Sequence, residues 1–178
     1  AKTDWTELSA HSKGGHMVLS SGPYLEVSTA AGAIAGDLER ANGSVALKVR
    51  VQCADWLDID RVQVLVNGRQ APEYNYTREN NPEKFQNGVV KFDQTLTIKL
   101  SEDANLIVVA TGEKSTLAKG FGTSTQATLH PTAYNNPIFI DVDGSGFQPN
   151  GDTLGYDLPV GGLTVDEVRA ALRQPEKP

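Results

Sequence analysis

The chain has 178 residues, enough for one ordinary domain with a real core. Its net charge of −6 argues against a nucleic-acid partner, because no Lys/Arg-rich face could dominate the surface. No run approaches the roughly 18 apolar residues that span a membrane.

In chain order, residues 1–16 show little strand character and read as a linker or the tail of an upstream domain. They hold Trp5, Leu8 and two of the three histidines, and Asp4 or Thr3 can cap a short helix there. The start at Ala1-Lys2-Thr3, with neither an initiator methionine nor a secretory leader, is what a processed chain or a piece of a longer one would show. Ser20-Ser-Gly-Pro23 is a turn leading into a strand over Tyr24–Ser28. Ser44–Gln52 alternates apolar and polar residues, so one face of that strand is buried. Cys53, the single cysteine, continues the phase of Val49 and Val51. It reads as a small core residue, and a lone cysteine excludes an internal disulfide or a multi-thiolate zinc site.

Ile59–Val66 alternates again, and Asn67-Gly68 after it signals a type I′ hairpin returning through Glu73–Thr77. Gly88 precedes a long alternating segment, Val89–Leu100. Asn105–Ala110 is a continuous apolar run of strand length, expected to be central. Thr111–Thr132, rich in Gly, Ser and Thr, is the longest loop candidate. Asn136–Asp141 is the last strand. Thr164–Arg173 begins with a threonine cap and early acids and ends in Arg173 before Pro175, the pattern of a short helix with Val165, Val168 and Leu172 on one face.

This succession predicts an all-β domain: an immunoglobulin-like antiparallel β-sandwich of about seven strands with a short C-terminal helix. The expected boundaries are 17–160 for the sandwich and 161–178 for the helix and tail. A jelly roll or small barrel has the same periodicity.

The last strand feeds Asp141-Val-Asp143-Gly-Ser145-Gly-Phe147-Gln-Pro149-Asn150-Gly-Asp152. Oxygen side chains fall at loop positions 1, 3, 5 and 12, with glycine at 6, which is calcium-loop spacing. The ligand set would be Asp141, Asp143, Ser145, the Phe147 carbonyl and Asp152. No helix pattern flanks the loop and position 12 is Asp rather than Glu, so the calcium would be a structural staple and not a sensor. A hydrogen-bonded Asx turn without a metal uses the same residues.

A second acidic pair, Asp58 and Asp60, shares one face if the segment is extended. Such a pair can do acid–base work, or can cap a strand and meet an arginine such as Arg61. Trp56, Tyr74 and Tyr76 near one hairpin could form an aromatic patch for carbohydrate or a cell surface. His11, His16 and His130 lack the His-x-His or His-Glu-x-x-His spacing of a zinc site, and His11 and His16, five apart, space poorly for a metal. There is neither a Gly-x-Ser-x-Gly elbow nor a phosphate loop.

Several motifs taken together resemble one family. They are Val18-Leu-Ser-Ser-Gly22-Pro23-Tyr24-Leu25, Trp56-Leu-Asp-Ile-Asp60-Arg61-Val62, Val66-Asn67-Gly68, Asp103-Ala-Asn-Leu-Ile-Val-Val-Ala110 and Asn136-Pro137-Ile-Phe-Ile-Asp141-Val-Asp143-Gly144. Over residues 13–155 the chain resembles the C-terminal β-sandwich region of bacterial PHP-type (polymerase and histidinol phosphatase) metallohydrolases of the CehA/McbA kind. In that family a histidine-rich metal-binding barrel precedes the sandwich. The resemblance implies a non-catalytic accessory domain whose partner is an upstream hydrolase domain of the same polypeptide. No catalytic residue carries over, because the barrel's motifs have no counterpart here. Family members with this sandwich are often exported, which implies a periplasmic or extracellular location.

Overall fold

The structure, a computed structural model, describes residues 4–155. The helix expected at 164–173 lies outside the described residues. Asp4 caps the first element: its carboxylate accepts from the amides of Thr6 (2.8 Å) and Glu7 (3.5 Å), opening helix α1 over Trp5–Lys13. None of the nine residues of α1 is buried.

Ten strands follow. They are β1 (Val18–Ser20), β2 (Tyr24–Thr29), β3 (Leu38–Arg40), β4 (Ser44–Gln52), β5 (Arg61–Val66), β6 (Arg69–Thr77), β7 (Val90–Lys99), β8 (Ala104–Thr111), β9 (Thr132–Asn135) and β10 (Ile138–Asp141). Two sheets form. β2, β4 and β7 pair antiparallel in one; in the other, β6 pairs β5 and β5 pairs β8. The other side of β8 is shared by β9 and β10, which carry β1 and β3 respectively. Strands β2, β4, β5, β6, β7, β8 and β10 follow the sheet memberships A-B-E and C′-C-F-G of an immunoglobulin-type sandwich.

The expected seven strands are therefore present, joined by three short ones that periodicity does not show. β9 and β10 are one strand path broken at Asn136-Pro137. Proline cannot donate to the ladder, and the buried Asn135 side chain fills in by accepting the Val108 amide at 2.7 Å. β10 and β3 pair in parallel, the one departure from an antiparallel arrangement among the described strands.

Alternation produces the core. Leu47, Val49 and Val51 of β4 and Phe92, Leu96 and Ile98 of β7 face Val62 and Val64 of β5, Leu106 and Val108 of β8, and Ile138 and Ile140 of β10. Cys53 joins this core, and burial raises its thiol pKa. The register of β4 on β7 skips Lys91: Val51 pairs Phe92 and Gln52 pairs Val90. Lys91 is the extra residue of this bulge, and it is 4% exposed.

The Asn67-Gly68 turn forms as its residue types demand, with φ of 51° and 73°. The segment expected as one long loop is instead broken up. β8 runs to Thr111, and helix α2 (Ala118–Phe121) and a 3₁₀ turn (Thr125–Thr128) follow, anchored by buried Leu117 and Ala127. Among the described residues, no helix is long and apolar enough to cross a membrane.

Candidate functional site: an acidic corner

The register of two strands builds this corner. Ile140 of β10 stands opposite Ala104 of β8, so the next pair along places Asp141 beside Asp103. Carboxylate oxygens of Asp103, Asp141 and Asp143 lie within 4.8 Å of one another. Asp141 is buried, Asp103 half-buried and Asp143 exposed.

Backbone amides orient all three. Asp141 accepts from Gly144 at 2.6 Å and Gly146 at 3.0 Å; Asp143 accepts from Ser145 at 2.8 Å. Asp103 reaches over the loop and accepts from Val142 at 2.8 Å and Gln148 at 2.7 Å. Of about twelve lone-pair sites on three carboxylates, five take these donors. The rest remain for a cation or water. The Asp143 carboxyl is held below the ordinary carboxylate range, first by the Ser145 side chain and next by the Ser145 amide. A cavity of about 340 Å³ adjoins the corner, lined by Glu102, Asp103, Asp143 and Asn150 among others.

An all-oxygen, anionic donor set suits a hard cation such as Ca²⁺, which takes six to eight oxygens. Asp141 and Asp143 come together as their spacing in the loop suggested. Asp103, outside the loop, joins them. Of the other three expected ligands, Ser145 lies at the corner and Asp152 is held away from it. Ser145 contacts Asp143 through both its side chain and its amide. The Phe147 ring packs edge-on against Phe139, with centroids 5.0 Å apart. Asp152 is held by Arg69 in a two-pronged ion pair, both contacts 2.7 Å, and accepts from the Leu154 amide. Position 12 is thus tied to the β5–β6 hairpin. The Arg69 guanidinium lowers the Asp152 pKa to about 2.

The second acidic pair is structural in its contacts. Asp60 accepts from the amides of Glu113 and Lys114, both at 2.9 Å. Asp58 meets Arg78 at 2.8 Å, and Lys91 Nζ lies 4.0 Å away. The expected partner Arg61 turns instead to Glu113 at 2.9 Å and to the Asn75 side chain at 3.3 Å.

The aromatic patch does not form. Tyr74 is buried (9% exposed), with its hydroxyl accepting the Lys99 amide. Tyr76 is half-buried against Phe92, and burial raises its pKa. Trp56 is 41% exposed, but its ring lies so close to Gly120 that a Cβ there would come within 2.8 Å.

His130 is 2.8 Å through Nδ1 from the Ser115 carbonyl, a structural contact. His11 and His16 meet across the turn after α1, with Nδ1 atoms 3.5 Å apart. Their five-residue separation gave no sign of this, because the turn at Gly14-Gly15 sets it. Compared with models of protein families, with curated proteins and with solved structures, the chain matches none of them.

Proposed function

We propose that this chain is a non-catalytic, immunoglobulin-like accessory domain of a larger PHP-like, metal-dependent hydrolase, with calcium as a structural staple at Asp103, Asp141 and Asp143. One observation carries the accessory role: the apolar surface between β1 and β2. Tyr24 is 62% exposed, and Met17, Val18 and Ile34 are exposed as well. Met17, Val18, Tyr24 and Ile34 line a shared cavity of about 360 Å³. Exposed apolar clusters of this kind mark interaction surfaces, and this one lies on the segment through which an upstream domain would connect.

The contacts of Asp58 with Arg78 and of Asp60 with two backbone amides support a structural use for this second acidic pair. The calcium would join the exit of β10 to the turn before β8, fixing the loop that Asp103 already spans.

The accessory role is tested in the intact polypeptide encoded by the gene. Deuterium uptake at Met17–Leu19 and Tyr24 is expected to be slower there than in the 178-residue chain alone. Equal uptake in the two, or an upstream region with no histidine-rich barrel, refutes the reading.

A further inference from the structure

We infer that His11 and His16 form a second metal site, for a divalent transition ion of the zinc type, held between their Nδ1 atoms. It is distinct from the acidic corner in place and in donor chemistry, since imidazole suits zinc, copper and nickel whereas carboxylate oxygen suits calcium.

The geometry points to this ion in three ways. First, two nitrogens bound tetrahedrally to zinc at about 2.0–2.1 Å lie roughly 3.3–3.4 Å apart, and the two Nδ1 atoms stand 3.5 Å apart with their rings tilted by 42°. Second, the outer nitrogen of each ring faces a carboxylate. His16 Nε2 is 3.1 Å from Asp37 Oδ1, and His11 Nε2 is 3.8 Å from Glu7 Oε1. Metal-bound histidines almost always donate the far N–H to such a group, which fixes the tautomer. Donation from His16 Nε2–H to Asp37 leaves the His16 Nδ1 lone pair facing the Nδ1 of His11, where a cation held between the two rings takes both nitrogens as ligands.

Third, the backbone holds the pair in place. The His16 amide donates to the His11 carbonyl at 3.1 Å, and Asn136 Nδ2 donates to the Gly15 carbonyl at 3.2 Å. Asp37 is fixed in turn, accepting the Ile34 amide at 2.9 Å. The side chains are 57% and 31% exposed, so water completes the coordination. Bound metal would clamp the last turn of α1 to the sandwich.

The experiment is zinc titration of the tag-free 178-residue protein by calorimetry at pH 7.5. One zinc per chain is expected. His11→Ala and His16→Ala should each weaken binding at least tenfold, and Asp37→Asn should weaken it roughly tenfold, while His130→Gln leaves it unchanged. Nitrogen-15 shifts of the imidazoles should show Nδ1 coordination with Nε2 protonated in both rings. No zinc binding, binding retained in both alanine variants, or coordination through Nε2 overturns the site. Calcium-dependent stability should persist in the histidine variants, so loss of one site is distinguishable from loss of the other.

Discussion

Asp103 and Asp141 share a corner because β8 and β10 run antiparallel with Ala104 opposite Ile140. The two carboxylates together accept four backbone amides of the 141–148 loop. Asp103→Ala leaves the Val142 and Gln148 amides without their acceptor. An unsatisfied donor costs about 1–3 kcal/mol when buried and less where water reaches it. The expected loss is about 1–2 kcal/mol by urea denaturation, with any calcium response abolished. Unchanged stability would show that this residue does not organise the loop.

Asp152 gives a pH dependence with a definite sign. Its folded pKa of about 2 lies below the ordinary value near 3.9, chiefly because of Arg69. A depressed carboxyl stabilises the fold above the unfolded pKa and loses that contribution as pH falls through the folded one. Wild-type protein should therefore lose this contribution between about pH 4 and pH 2. In Arg69→Ala, carbon-13 titration should find the Asp152 carboxyl returned towards its ordinary range. A value still near that of the wild type would show that the ion pair is not the cause.

Gly36 controls the seat of the N-terminal helix. Its φ is 89°, and a Cβ there would come within 2.1 Å of the Gly14 carbonyl oxygen and 3.0 Å of the His16 ring. Gly36→Ala should speed amide exchange across Trp5–Met17 and cost about 1–3 kcal/mol through overpacking and the left-handed backbone. Wild-type exchange rates in α1 would mean that the contact does not hold the helix.

Lys91 is buried in the β7 bulge, with Asp58 at 4.0 Å, beyond hydrogen-bond range. A loosely paired buried charge is weak stabilisation, and an apolar residue of similar volume is often neutral or better. Lys91→Met is expected to change stability by less than about 1 kcal/mol or to raise it. A loss above about 2 kcal/mol would assign the ammonium a structural partnership that its distances do not suggest.

The long strands were legible because one face of each is buried: the alternation of Ser44–Gln52 and the apolar run at Asn105–Ala110 match β4 and β8. The Asn67-Gly68 turn was legible because few residue types accept positive φ. β1, β3 and β9 were not, since three or four residues carry too little alternation to show a period. Asp141 and Asp143 could be read from spacing along one loop. Asp103 could not, because its position depends on register between β8 and β10, which local sequence does not encode. Ser101-Glu102-Asp103 before an apolar run is an ordinary turn signal. The pairing of Asp152 with Arg69 was hidden for the same reason: 83 residues separate the partners. The five-residue spacing of His11 and His16 is poor for a metal along the chain, and a two-glycine turn brings them together.

The most direct test of the calcium staple is thermal unfolding of the 178-residue chain in calcium and in EDTA. A ligand bound only by the folded state stabilises it by about 2.7 kcal/mol at one hundred times its Kd. Melting temperature should therefore rise with calcium concentration in the wild type and stay fixed in Asp141→Asn. Superimposable curves for the wild type in calcium and in EDTA would contradict the account.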